Sequence, residues 1–143
     1  MNRRTLLQTL SAALFLPLSG AVRGNGQEAG METVYELRIY HAAPGKLDEL
    51  LARFRDHTDK LFARHGMKSV AYWTPVDEPQ KGNTLIYILQ HPSRTAATEN
   101  WKAFQDDPEW KSVKAKSEEN GKLAEKIDST FMSLTDFSPR LGS

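Results

Sequence analysis

The sequence predicts an α+β domain of ferredoxin-like order, β-α-β-β-α-β, with one four-stranded antiparallel sheet and both helical regions on a single face. Three observations carry this prediction. Residues 34–40, Val-Tyr-Glu-Leu-Arg-Ile-Tyr, alternate in the two-residue rhythm of a strand. Two later segments carry apolar residues at three- and four-residue steps, the mark of helices with one buried stripe. The segment Thr84 to His91, with its continuous Leu-Ile-Tyr-Ile-Leu, reads as a central strand covered on both faces.

In the first strand, Tyr35, Leu37 and Ile39 share one side and Glu36, Arg38 and Tyr40 the other. The first side reads as the core face. The second reads as the reverse of the sheet, to be covered by a partner, a ligand or water. Pro44-Gly45-Lys46-Leu47 then opens a helix, with Pro44 in the first turn where its missing N–H costs nothing. Its stripe runs Leu47, Leu50, Leu51, Phe54, Thr58, Leu61, Phe62, His65, and Gly66 ends it in the usual left-handed position.

The second strand is expected over Lys68 to Val76, followed by a polar turn loop from Asp77 to Asn83 and the third strand, Thr84 to His91. Pro92-Ser93 begins the second helical region, with Ala97, Trp101 and Phe104 on one stripe. Asp107-Pro108, an N-cap before a first-turn proline, breaks and restarts that helix. Trp110 and Val113 continue its apolar face, and Lys114 to Lys126 reads as a solvated helix end and loop with Gly121 as a stop. Alternation from Ile127 to Phe137 marks the fourth strand. Right-handed crossovers leave room for one strand between the first two, giving the split βαβ order.

Residues 1–21 read as an export signal. Arg3 and Arg4 precede the apolar stretch Thr9 to Leu18, and Ser19-Gly20-Ala21 supplies small residues at the cleavage spacing. The paired arginines followed by Leu6 and Leu7 are of the twin-arginine type, although Asn2 and Gln8 depart from that pattern. The expected location is therefore exported and, in a bacterium, periplasmic. The alternative is an anchor through an uncleaved signal, although the apolar stretch is too short for a comfortable span. Residues 22–32 read as a flexible leader and residues 33–139 as the domain.

Charge and composition narrow the function. Setting aside the two arginines of the signal leaves 17 of the 19 basic residues against 18 acidic ones. No broad basic field remains for a phosphate backbone, so nucleic acid is not an expected partner. The chain has no cysteine, which excludes disulfides, thiolate metal sites and a cysteine nucleophile. No pair of histidines has a metal-binding spacing, and no glycine-rich phosphate loop exists, so neither a metal nor a nucleotide cofactor is expected.

Tyr-Glu-Leu-Arg-Ile-Tyr at 35–40, Pro-Gly-Lys-Leu-Asp-Glu-Leu at 44–50, Arg-His-Gly at 64–66, Asp-Pro-Glu-Trp at 107–110 and Asp-Phe-Ser-Pro at 136–139 together resemble the NIPSNAP family. The resemblance implies the dimeric α/β-barrel superfamily, in which two sheets face each other across a two-fold axis. That superfamily includes cofactor-free oxygenases, haem-handling enzymes and small stress-response proteins. The resemblance thus implies a fold and a homodimer more firmly than a reaction.

Five residues are candidates for a pocket or an interface: Glu36, Arg38, Tyr40, His65 and Trp73. If two sheets stack, Glu36, Arg38 and Tyr40 become enclosed between them. They then form either an ion-pair network that can cross the two-fold axis or a pocket in which Arg38 holds an anionic or carbonyl group and Tyr40 positions it. His65 reads as a helix C-terminal cap, or as a general base or haem ligand reaching a cavity between helix and sheet. Trp73 can line the pocket from its strand. His41 and His91 close strands, where loop-edge solvation is the default. Trp101, Phe104 and Trp110 are expected to pack on the sheet.

Two functions follow. The first is a homodimeric small-molecule-binding or accessory protein taking a small aromatic or apolar ligand. The alternative is a monooxygenase-type enzyme, cofactor-independent or haem-dependent, with a pocket on the enclosed sheet face. Haem is the one cofactor left open.

Overall fold

A computed structural model describes residues 32–141. The export signal at 1–21 and all of the leader at 22–32 except Glu32 lie outside the described residues. Strand β1 (Val34–Ala42) leads to helix α1 (Leu47–Arg53), one π-helical turn (Phe54–Thr58) and helix α2 (Asp59–Arg64). Strands β2 (Lys68–Trp73) and β3 (Thr84–His91) follow, then helices α3 (Arg94–Asp106) and α4 (Pro108–Ser117) and strand β4 (Ala124–Met132). The sheet order is β2-β3-β1-β4 with every neighbouring pair antiparallel. This is the ferredoxin-like α+β fold, with the apolar β3 in the interior of the sheet.

Local chemistry explains the joints. Ala43 accepts a hydrogen bond from the Lys46 N–H at 2.9 Å around Pro44 and Gly45, and Gly45 has φ of 72°. Pro44 therefore sits in a tight turn before α1, not in its first turn, with glycine at the position that needs positive φ. Gly66 closes α2 with φ of 75°. Its N–H donates to the Ala63 carbonyl and that of Met67 to the Phe62 carbonyl, a Schellman closure. Asp107 caps α4 by accepting from the Glu109 N–H at 2.7 Å, with Pro108 next to it.

Two strand boundaries differ from the expectation. The second strand ends at Trp73 and not Val76, and the fourth runs Ala124–Met132 and not Ile127 to Phe137. Pairing decides the latter. Strand β4 matches β1 from Ala42 opposite Ala124 to Tyr35 opposite Met132. Beyond Met132 only Val34 of the first strand remains, so alternation alone cannot hold Ser133 to Phe137 in the sheet.

The two faces of β1 are the reverse of the expectation. The core draws its strand residues from Tyr40, Ala42, Leu85, Tyr87 and Leu89, packed against Leu50, Phe54, Phe62 and Phe104 of the helical layer. Glu36 lies opposite Leu89, Arg38 opposite Tyr87 and Tyr40 opposite Leu85, so this row faces the subunit's own helices. Leu37 lies opposite Ile88 and Ile39 opposite Ile86 on the other face. That face is the aliphatic one. The charged row can be interior because its carboxylate is fully hydrogen-bonded there, as described below.

The core is aromatic. Phe62 and Phe104 centroids are 4.9 Å apart, Phe54 and Tyr87 5.2 Å, and Tyr40 meets Phe54 edge-on at 5.5 Å. Among the described residues no helix is long and apolar enough to cross a membrane.

Candidate functional site

Glu36 is the hub beneath the helices. It is 1% exposed, and four donors from four elements converge on its carboxylate. Arg38 Nη1 donates to Oε1 at 2.8 Å and Ser129 Oγ to the same oxygen at 2.7 Å. Trp101 Nε1 donates to Oε2 at 2.6 Å. His91, 0% exposed, lies with Nε2 2.9 Å from Oε2; since a carboxylate only accepts, this nitrogen carries the proton. His91 is thus a buried structural partner and not a solvated loop-edge histidine.

Burial pushes the Glu36 carboxyl upward, but the bonds from His91, Trp101, Ser129 and Arg38 outweigh it and hold the group at about 2, against an ordinary 4.5. The folded chain therefore takes up this proton less readily than the unfolded chain. The resulting stability is complete above the ordinary value and is lost as pH falls from there through about 2. Its size is about 3 kcal/mol, at ~1.4 kcal/mol per pH unit. Urea midpoints measured from pH 6 down to pH 2 should fall more steeply for the native chain than for Glu36→Gln, which has no proton to gain.

Glu36 in turn fixes Arg38. Besides that ion pair, Arg38 Nη2 lies 3.4 Å from Tyr40 Oη, and the guanidinium carbon stands 4.3 Å from the centre of the Trp101 ring. Burial would favour losing the Arg38 proton, but Tyr40, Tyr87 and Glu36 hold it more firmly than usual. The side chain is a fixed cation, charged and immobilised at the sheet surface.

Arg38 and Tyr40 line a cavity of about 510 Å³ between the sheet and helices α3 and α4. Trp101, Phe104 and Trp110 complete its aromatic wall. A second guanidinium enters from α1. Arg53 is 6% exposed, bonds Ser117 Oγ and Glu118 Oε1 at 3.2 Å each, and lies 5.2 Å from the Trp110 ring. Arg53 ends α1 and the π-helical turn begins at the adjacent Phe54, and both side chains are buried. Thr58 Oγ1 donates to the Arg53 carbonyl at 3.2 Å across the widened turn. Lys111, Lys114 and Lys122 stand at the exposed rim.

Only part of the expected constellation meets here. Glu36, Arg38 and Tyr40 come together, inside one subunit and not between two sheets. His65 lies elsewhere: its Nε2 bonds Asp107 Oδ2 at 2.7 Å, tying the end of α2 to the cap of α4, and it is not a cavity-lining residue. That hydrogen bond is the main reason the Asp107 carboxyl is held below its ordinary range. Trp73 is 47% exposed on the aliphatic face, opposite Ile86, and away from the cavity. The sequence reading does not single out Arg53 or the rim lysines, and it assigns Trp101, Phe104 and Trp110 to packing on the sheet, not to a cavity wall. Arg53 has one local sign, its place three residues after the buried Leu50, but the lysines look like any solvated helix end.

Haem does not fit this donor set. No histidine, methionine or cysteine lines the cavity, and Tyr40 is turned toward Arg38. Among the described residues no group of three or more histidine, aspartate or glutamate side chains could hold a metal ion.

The NIPSNAP family profile matches residues 35–139. Protein NipSnap homolog 3A of Pongo abelii is 29% identical over 110 residues, which are 76% of this chain and 42% of that protein. The chain thus spans less than half of this relative's length. A NIPSNAP-like domain protein from Burkholderia xenovorans superposes with a TM-score of 0.66 at 17% identity, covering 78% of this chain and 93% of the other. A NIPSNAP family protein from Agrobacterium tumefaciens gives 0.65 at 22% identity, covering 76% and 94%. The same backbone thus recurs at low identity, and with the profile running from the first strand to the C-terminal Pro139 the chain belongs to the NIPSNAP family.

Proposed function

We propose that this domain is an exported, homodimeric small-molecule-binding protein with one ligand cavity in each subunit. The observation that carries the reading is the cavity itself. Its volume of about 510 Å³ lies in the range of small-molecule sites, and an immobilised guanidinium and a phenol meet an aromatic wall inside it. Arg38 is held before any ligand arrives, so binding would not have to order it.

The homodimer is supported by the opposite face. Leu37, Ile39, Ile86 and Ile88 form an aliphatic patch at the middle of the sheet, and Trp73 extends it along β2. A second copy laid face to face would cover this patch with its own equivalent, as a two-fold contact requires. The contact so formed is apolar and leaves Glu36, Arg38 and Tyr40 under their own helices. Export is supported by Arg3-Arg4, the apolar stretch after them and the small residues at 19–21.

The monooxygenase alternative has less to support it. The cavity offers no histidine as a general base, and the one expected to reach it, His65, is engaged with Asp107.

Native mass spectrometry of the full chain, expressed in and gently purified from a bacterial periplasm, tests the reading. The expected spectrum is a dimer carrying a small organic adduct that collisional activation removes. A bare dimer or monomer under conditions that keep other ligand complexes intact counts against a binding function.

A further inference from the structure

We infer that the cavity selects a planar aromatic carboxylate, its ring against the indole wall and its carboxylate at the lysine rim. This rests on the reading of the cavity as a ligand site and adds the chemical class. Five cationic side chains line the cavity against one carboxylate, that of Glu118. Glu118 is already engaged by Arg53 at 3.2 Å, and Arg38 is matched by Glu36 at 2.8 Å. The unmatched charge is therefore on Lys111, Lys114 and Lys122, none of which forms an ion pair among the described residues.

Surplus positive charge at the cavity mouth favours an anion over a neutral molecule of the same shape. The rest of the lining sets the shape. Trp101, Phe104 and Trp110 offer aromatic surface close to the two guanidiniums, so a flat ring gains stacking that a saturated ring of equal size does not. The lysines come from the outer part of α4 and the loop after it, whereas the aromatic residues lie deeper. This division orients the ligand ring-first.

Isothermal titration of the full chain with three probes tests the inference. 2-Naphthoate supplies ring and charge, 2-naphthalenemethanol the ring alone, and cyclohexanecarboxylate the charge alone. The expected result is that 2-naphthoate binds at least about tenfold more tightly than either partial probe, the size of one charge-assisted hydrogen bond. The triple variant Lys111→Gln, Lys114→Gln, Lys122→Gln changes exposed side chains only. It should lose that advantage over the alcohol while its thermal unfolding stays the same. Equal binding of naphthoate and the alcohol overturns the charge selection and leaves the cavity a ligand site. A carboxylate preference that survives the triple substitution overturns the assignment of the rim lysines. If no probe binds at millimolar concentration, the inference fails; an adduct in the native spectrum then spares the binding function, and its absence ends that reading too.

Discussion

Replacing Glu36 by alanine is expected to cost about 3–5 kcal/mol of stability, the range for removing one partner of a buried ion pair. The loss is not that of one contact. Arg38, His91, Trp101 and Ser129 all donate to this carboxylate, and the substitution leaves their hydrogens buried and unpaired together. Because the donors come from β1, β3, α3 and β4, they also lose a common anchor. A domain of this size has a total margin of roughly 5–15 kcal/mol, so much of it disappears. Urea denaturation at pH 7 reads the change directly. Glu36→Gln should cost less, since its amide oxygen still accepts while its NH2 faces existing donors. A Glu36→Ala midpoint within about 1 kcal/mol of the native chain would mean the carboxylate is not the hub described.

The second large effect concerns the aliphatic face. If two copies pair through this face as proposed, Ile88→Lys is expected to leave a folded monomer at micromolar concentration. Ile88 sits in β3, between Leu37 of β1 and Ala71 of β2, on the face away from the helices. In a lone subunit a lysine there reaches water by extending its stem. In a face-to-face pair it would be enclosed against aliphatic side chains, twice over because the contact is two-fold. Sedimentation equilibrium should give twice the chain mass for the native protein and the single mass for the variant, with unchanged far-ultraviolet circular dichroism. A native monomer, or a variant that still pairs, would remove the sheet face as the interface.

These two residues also show how far the sequence could be read. The interior place of β3 is visible in the unbroken run Leu85-Ile86-Tyr87-Ile88-Leu89, and the helix break at Asp107-Pro108 follows from capping chemistry alone. Alternation in β1 separated Glu36, Arg38 and Tyr40 from Leu37 and Ile39 correctly. It could not say which set lies under the helices. That choice depends on His91, Trp101 and Ser129, which lie 55, 65 and 93 residues from Glu36 in the chain. Local patterns prefer to leave a glutamate in water, and only the assembled donors reverse the preference. Arg53 was hidden for a similar reason: its spacing from Leu50 allows a buried place, but only Ser117 and Glu118, 64 and 65 residues away, compensate the burial of its charge.

Three tryptophans divide cleanly between the two surfaces: Trp101 and Trp110 line the cavity, and Trp73 lies on the aliphatic face. Fluorine NMR of the chain labelled with 5-fluorotryptophan, its three signals assigned by single Trp→Phe variants, can therefore separate ligand from partner. Ligand entry beneath the helices should make 2-naphthoate shift the Trp101 and Trp110 signals and leave Trp73 in place. Naphthoate that moves Trp73 and leaves the other two unchanged would put the ligand on the opposite side of the sheet.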